Sequence, residues 1–212
     1  PAMSASRAPK PFSEACEENR APIEQVLAGY LASLEGTLLE IGSGTGQHAV
    51  AFSRRFPRLV WQTSDLSGNL PGIRLWVEEA NRANLPPPLE LDVTAVWPRR
   101  QFEAVFSANT AHILSDAQVA AMFRGLGGSI REGGVFLLYG PFNYAGRYTS
   151  ESNERFDAWL NARDPRSGIK DFADLDALAR TAALTLVADH PMPANNRTLV
   201  WRRLDARQGP RG

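Results

Sequence analysis

Glu40-Ile41-Gly42-Ser43-Gly44-Thr45-Gly46 ends a short apolar run, Thr37 to Ile41, and opens a helical pattern. Glycines at such a junction allow positive φ and let a ligand approach the backbone with no Cβ in the way. Four further apolar runs follow: Leu59 to Thr63, Leu89 to Val93, Phe102 to Ala108 and Val135 to Tyr139. Helical patterns separate them. Ile73, Trp76, Val77 and Ala80 share one face after Pro71, and Ser115-Asp116-Ala117-Gln118 reads as a capping box that starts a helix towards Ile130. Strands that are apolar throughout, alternating with helices, predict a parallel sheet with helices on both faces, the doubly wound α/β class.

Before the glycine turn, Ile23, Val26, Leu27, Tyr30, Leu31 and Leu34 fall at helical spacing behind Pro22, which reads as a first-turn proline. A shorter helical piece, Ser13 to Arg20, precedes them with Ser13 as its cap. After Tyr139 the rhythm breaks. A polar, aromatic segment, 141–170, has helical character near Glu151 to Ala162, and Asp171 caps a helix with Phe172, Leu175, Leu178 and Ala182 inward. The final runs, Leu184 to Ala188 and Thr198 to Arg202, are joined only by His190 to Asn196. That connector is too short for a crossover helix, so the two strands are antiparallel neighbours. The expectation is a seven-stranded, mostly parallel sheet with a reversed last strand. One domain spans 11–204, with 141–170 as an insertion that walls a substrate site. Residues 1–10 are expected to be a disordered N-terminus or a cloning remnant ahead of Met3, and 205–212 a disordered tail.

The chain has 212 residues, 43% apolar, with 23 basic and 23 acidic side chains. A core of this size buries roughly 70% of the unfolded surface, so neither disulfides nor a structural metal are required. The single cysteine, Cys16, fits a reducing compartment and reads as a small packed apolar residue. No apolar run approaches the ~18 residues needed to span a bilayer, which predicts a cytoplasmic protein without membrane contact. Charge balance argues against a nucleic-acid partner. Arg197, Arg202, Arg203, Arg207 and Arg211 make the stretch from Arg197 to Gly212 basic, and a solvated terminus accounts for it. His48, His112 and His190 share no metal-ligand spacing with one another or with Cys16, so no metal is expected.

Acids give the glycine turn its meaning. Asp65, 23 residues after Gly42, ends the second strand, where a carboxylate can accept both hydroxyls of a ribose. Asp92 ends the third strand on the same edge of the sheet. The G-x-G-x-x-G dinucleotide fingerprint is absent; the spacing is G-x-G-x-G, with Glu40 two residues ahead. A carboxylate there repels a pyrophosphate and suits a ligand with an ammonium group. The segment resembles motif I of class I S-adenosylmethionine (SAM) dependent methyltransferases, over about Ile23 to Arg203. The resemblance implies a Rossmann-like fold, SAM as cofactor with S-adenosylhomocysteine as product, Asp65 as the ribose-binding acid and Asp92 as the adenine-contacting acid. Glu40, Gly42, Gly44, Gly46, Asp65, Leu66, Asp92, Val93 and Asn109 form the candidate cofactor set. Pro11 to Glu17, Tyr139 to Tyr144, Thr149 to Asn153 and Met192 to Asn196 together resemble an uncharacterised methyltransferase-like family, methyltransferase-like 26 or domain of unknown function 938. That resemblance implies no established substrate.

Methyl transfer from a sulfonium is an in-line displacement in which positioning and water exclusion dominate. His112, in Asn109-Thr110-Ala111-His112 after the fourth strand, is the candidate base, with a structural histidine as the alternative. Asn109 is read as a cofactor or substrate contact. Tyr139, Phe142, Tyr144 and Tyr148 are candidate substrate contacts or, for some, a satellite core. Asn195 and Asn196 open on the same rim, as amide ligands or as turn residues. Arg20, beside Asn19, binds a substrate carboxylate or pairs with Glu17 or Glu24. The expected function is methyl transfer to a small molecule. The alternatives are a catalytically silent SAM-binding partner protein and an NAD-dependent oxidoreductase.

Overall fold

The computed structural model describes residues 8–205. Residues 1–7 and 206–212, where the sequence predicts most of a disordered N-terminus and tail, lie outside the described residues. Lys10 is not part of a disordered stretch. Its ammonium pairs with Glu79 at 2.8 Å and sits 3.6 Å from the centre of the Trp76 ring.

In chain order the elements are α1 (Glu14–Leu31), β1 (Gly36–Ile41), α2 (Gln47–Arg55), β2 (Leu59–Asp65), α3 (Leu70–Ala80), β3 (Leu89–Glu90), β4 (Phe102–Ala108), α4 (Asp116–Ser129), β5 (Ile130–Gly140), β6 (Phe142–Asn143), α5 (Glu151–Arg163), β7 (Lys170–Asp171), α6 (Phe172–Thr181), β8 (Leu184–Met192) and β9 (Asn196–Arg203). Seven strands form one sheet in the order β3-β2-β1-β4-β5-β9-β8. β9 is antiparallel to β5 and β8, and the other pairs are parallel. The reversed strand therefore sits inside the sheet, and β8 forms the edge. Chain order turns back between β1 and β4, so their carboxyl ends flank a crevice where ligands of open α/β sheets bind.

Alternation along each strand divides the core. Leu39, Val105, Phe136 and Trp201 face α4 and α6, packing on Met122, Phe123, Leu126 and Leu175. Leu38, Phe106, Leu137 and Val200 face the other side, against Ile23 and Leu27 of α1, Phe52 of α2 and Ile73 of α3. The capping box forms: Ser115 Oγ accepts from Gln118 N at 3.1 Å, and Gln118 Oε1 accepts from Ser115 N at 2.8 Å. Asp171 caps α6 through Ala173 N at 2.9 Å.

Local patterns mislead in a few places. α1 is one helix with Pro22 in its interior, not two pieces with Pro22 in a first turn. Burial of Ile23, Leu27 and Leu31 outweighs the hydrogen bond that proline cannot donate to the Glu18 carbonyl. β3 has two residues because Pro86, Pro87 and Pro88, which lack N–H donors, precede it. Asp92 thus lies in the turn beyond the strand. β8 and β9 absorb most of the connector, pairing as far as Met192 with Asn196. Arg197, Arg202 and Arg203 are strand residues, not tail. Arg197 bonds Asp189 at 2.7 Å, and the other two donate to the carbonyls of Gly133, Gly127 and Ile130. A small parallel pair, β6 with β7, was not expected. Among the described residues no helix is long and apolar enough to cross a membrane.

Candidate functional site

A cavity of about 530 Å³ opens at the carboxyl ends of β1, β2 and β4. The glycine turn forms its floor. Gly42 has φ 68°, and a Cβ on it would come within 2.6 Å of Thr110 Oγ1, so no side chain fits where β1 meets the turn after β4. Gly44 has φ 62° and open space where its Cβ would stand, leaving bare backbone towards the cavity. Ser43 N donates to Ser64 O at 2.9 Å and Ser64 N to Ser43 Oγ at 3.0 Å, which lock the turn to β2. Gly46 faces Trp76 and Ile73 of α3 and does not line the cavity.

Three carboxyl groups line this space, in different states. Glu40 is 2% exposed, and its Oε1 has no hydrogen-bond partner among the described residues. Burial pushes its pKa up to about 8; Ser43 and Trp61 lie near enough to ease the charge, yet the Trp61 indole N–H is itself unpartnered. Asp65 accepts Gly44 N through Oδ2 at 2.8 Å, and Leu66 N at 2.7 Å and Asn69 Nδ2 at 3.0 Å through Oδ1. Three of roughly four acceptor positions are therefore taken. Asp92 accepts Thr94 Oγ1 at 2.7 Å and Thr94 N at 2.9 Å through Oδ1, and these bonds hold its pKa below the usual value. Leu66, Val93 and Asn109 also line the cavity.

Two imidazoles complete the lining. His112 is buried, with its ring edge against Phe156 at 5.2 Å between centroids. Burial, helped by the Lys170 ammonium, lowers its pKa to about 4. It stands where the sequence places it, but as a neutral ring and a weak base. His48, which sequence reasoning missed, is likewise lowered to about 4 by burial, and its Nε2 donates to Asn19 Oδ1 at 2.7 Å. The available signal was its position in the first turn after Gly46. Cys16 is not a core residue: it is half-buried and lines the cavity, with its thiol pKa raised by burial.

A second cavity, about 540 Å³, adjoins the first, and Ala15, Asn109 and Phe156 line both. Glu18, Asn19 and Pro22 of α1, Ser152 and Asn153 of α5, Tyr139 and Asn196 lie around it. Asn19 and Asn196 lie beside Tyr139, whose hydroxyl pKa is raised by burial. Other candidate substrate residues fall elsewhere. Phe142 is core, 1% exposed. Tyr144 stacks on Phe172 and donates to Asp189 at 2.7 Å. Tyr148 is on the surface, donating to Asp157 at 2.5 Å. Arg20 pairs with Glu17 at 3.1 Å and lines neither cavity. Asn195 takes φ 57° in the turn before β9, and only its carbonyl is used, accepting from Asn153 Nδ2 at 3.2 Å.

The family model described as "Protein of unknown function (DUF938)" matches residues 10–203; that description does not carry the methyltransferase-like 26 name. Solved structures share the architecture. An O-methyltransferase family protein from Burkholderia thailandensis superposes with a TM-score of 0.80 at 15% identity, covering 91% of this chain and 58% of that one. An O-methyltransferase family 2 protein from Planctomyces limnophilus, in complex with apigenin, gives 0.72 at 14%, covering 88% and 62%. PigF, solved with S-adenosylhomocysteine, gives 0.76 at 15%, covering 89% and 57%. The chain spans little more than half the length of these neighbours, and at such identities the likeness is one of fold: the Rossmann-like class I methyltransferase fold.

Proposed function

This chain belongs to the DUF938 family, and on that premise we propose that it transfers methyl groups from SAM to a small-molecule acceptor. The observation that carries the reading is Glu40 Oε1, a buried, unpartnered oxygen in a cavity floored by backbone at Gly42 and Gly44. It suits the ammonium end of the cofactor. Asp65 would hold the ribose, with Asp92, Leu66 and Val93 around the adenine. When bound, the cofactor supplies an electrophilic methyl group on a sulfonium sulfur. The remaining tasks fall to the chain. Ala15, Asn109 and Phe156 would border the passage between the cavities, where acceptor and methyl group meet. The segment 141–170 would wall the acceptor site through Ser152, Asn153 and Phe156, with Tyr139 and Asn196 opposite. His112, kept neutral, would orient the acceptor instead of serving as a strong base. With one half-buried cysteine, a reducing, cytoplasmic setting is the natural one.

Thermal unfolding with candidate ligands tests the cofactor. A ligand at a hundredfold excess over its Kd stabilises the native state by about 2.7 kcal/mol. SAM and S-adenosylhomocysteine should each raise Tm, NAD should not, and Asp65→Ala should abolish the shift. A shift with NAD alone would overturn the reading. Incubation with SAM and a small-molecule extract should release S-adenosylhomocysteine; tight binding without any release identifies a silent SAM-binding partner protein.

A further inference from the structure

The cavities share an electrostatic character. Glu40, Asp65 and Asp92 line the first and Glu18 the second, while among the described residues neither Lys nor Arg lines either. The buried, orphaned Glu40 oxygen marks the first as built for a positive group. A carboxylate or phosphate entering the second would lose its water and meet no cation.

The second cavity presents one charged side chain, Glu18, among the amide and hydroxyl groups of Asn19, Tyr139, Ser152, Asn153 and Asn196. Glu18 and Pro22 lie one turn apart on the same face of α1, the face that lines this cavity. Asn153, 5% exposed, spends both amide hydrogens, on Thr149 Oγ1 at 3.0 Å and Asn195 O at 3.2 Å, so only its oxygen remains to meet a ligand. A ligand carrying N–H groups matches this set.

The chemistry narrows the choice further. An alcohol must lose a proton during attack, and the imidazole at hand, His112, is buried near Lys170, where a second positive charge is disfavoured. A neutral nitrogen needs no base. We infer that the methyl acceptor is a small amine or nitrogen heterocycle bound in the second cavity, and that its nitrogen, not an oxygen, receives the methyl group. The inference rests on the methyltransferase reading above. An amine that enters as a cation first gives one proton to water at the open side of the cavity; the freed nitrogen lone pair then forms the bond to the methyl carbon while the sulfur–methyl pair returns to sulfur. Positive charge thereby passes from sulfur to nitrogen, on the Glu18 side, and any N–H proton then leaves to water.

The experiment divides a small-molecule extract by ion exchange into cationic, neutral and anionic fractions. Each is incubated with the protein and SAM carrying an isotopically labelled methyl group. Label should appear from the cationic fraction, in a product with the NMR shift of an N-methyl group. Label arising chiefly from the anionic fraction, or an O-methyl product, overturns the inference and leaves the methyltransferase reading intact. No label despite a Tm shift with SAM overturns both the inference and the transfer reading. Glu18→Gln, a surface change on α1, should raise KM for that acceptor about tenfold, one charge-assisted hydrogen bond's worth, with the Tm shift by SAM unchanged. Calorimetric binding of the isolated methylated product should weaken in parallel; equal affinity for wild type and E18Q removes Glu18 from the argument and overturns the assignment of the amine to its carboxylate.

Discussion

Glu40 is a carboxyl group with one oxygen shut away from both water and partners. Its ordinary pKa is 4.5, and burial raises it to about 8 in the folded chain. Between those values the unfolded chain has released a proton that the native state keeps, so stability falls as pH rises through this interval. Glu40→Gln removes the titration at nearly constant shape. The ligand-free variant should exceed wild type in stability at pH 8.5 by roughly 2 kcal/mol or more and lie close to it at pH 5, as urea unfolding would measure. Equal stability of the two proteins at pH 8.5 would mean that the carboxylate is already charged at little cost. The placement of Glu40 beside the glycines was legible from the sequence. Its protonation was not, because burial is a property of the packed sheet. The same holds for His112, whose position was read correctly and whose basicity was overestimated.

At the scale of the element, the entry to α1 is tied to the turn it overlies. Gln47 Oε1 accepts from Ser13 N at 2.6 Å and from Thr45 Oγ1 at 2.9 Å; its Nε2 donates to Glu17 Oε1 at 2.9 Å and Ser13 O at 3.2 Å. The His48–Asn19 bond adds a second tie. Gln47→Ala should therefore loosen the first turns of α1 while the central strands stay intact. Amide exchange at residues 14–19 should accelerate by about tenfold or more, the equivalent of one or two lost hydrogen bonds, with β1, β4 and β5 unchanged. Uniform acceleration through the sheet would assign Gln47 to global stability instead. The ties from Gln47 and His48 to α1 are not visible in local sequence, since those partners lie about 30 residues apart. The sequence pattern also splits α1 at Pro22, because a proline in a first turn and one in an interior turn look alike until Ile23, Leu27 and Leu31 are seen buried together.

At the scale of the molecule, two buried histidines set the acid limit. His48 and His112 have folded pKa values of about 4 against an ordinary 6.5. Below about pH 6.5 the unfolded chain takes up protons that the folded chain refuses, so their contribution is complete above that pH and is lost as pH falls towards about 4. Each accounts for roughly 3 kcal/mol in the limit. Set against the opposite slope of Glu40, this predicts a stability maximum near pH 6.5 for the ligand-free protein, read from urea midpoints across a pH series. His112→Gln should flatten the acid limb by one proton; an unchanged limb would place the imidazole in contact with water. The architecture itself was largely legible, because continuous apolar strands separated by capped helices admit few arrangements, and the short connector before β9 fixes its direction. The second cavity was not, since α1, α5 and the turn before β9 meet there from distant parts of the chain.

The brevity of β3 has one further effect. Both borders of the seven-stranded sheet are poor templates for a foreign strand: three consecutive prolines lead into β3, and β8 carries a register shift between Leu186 and Ala188 and a proline at position 191. Edges blunted in this way resist edge-to-edge aggregation, so the molecule can carry a wide, open sheet without inviting its copies to extend it.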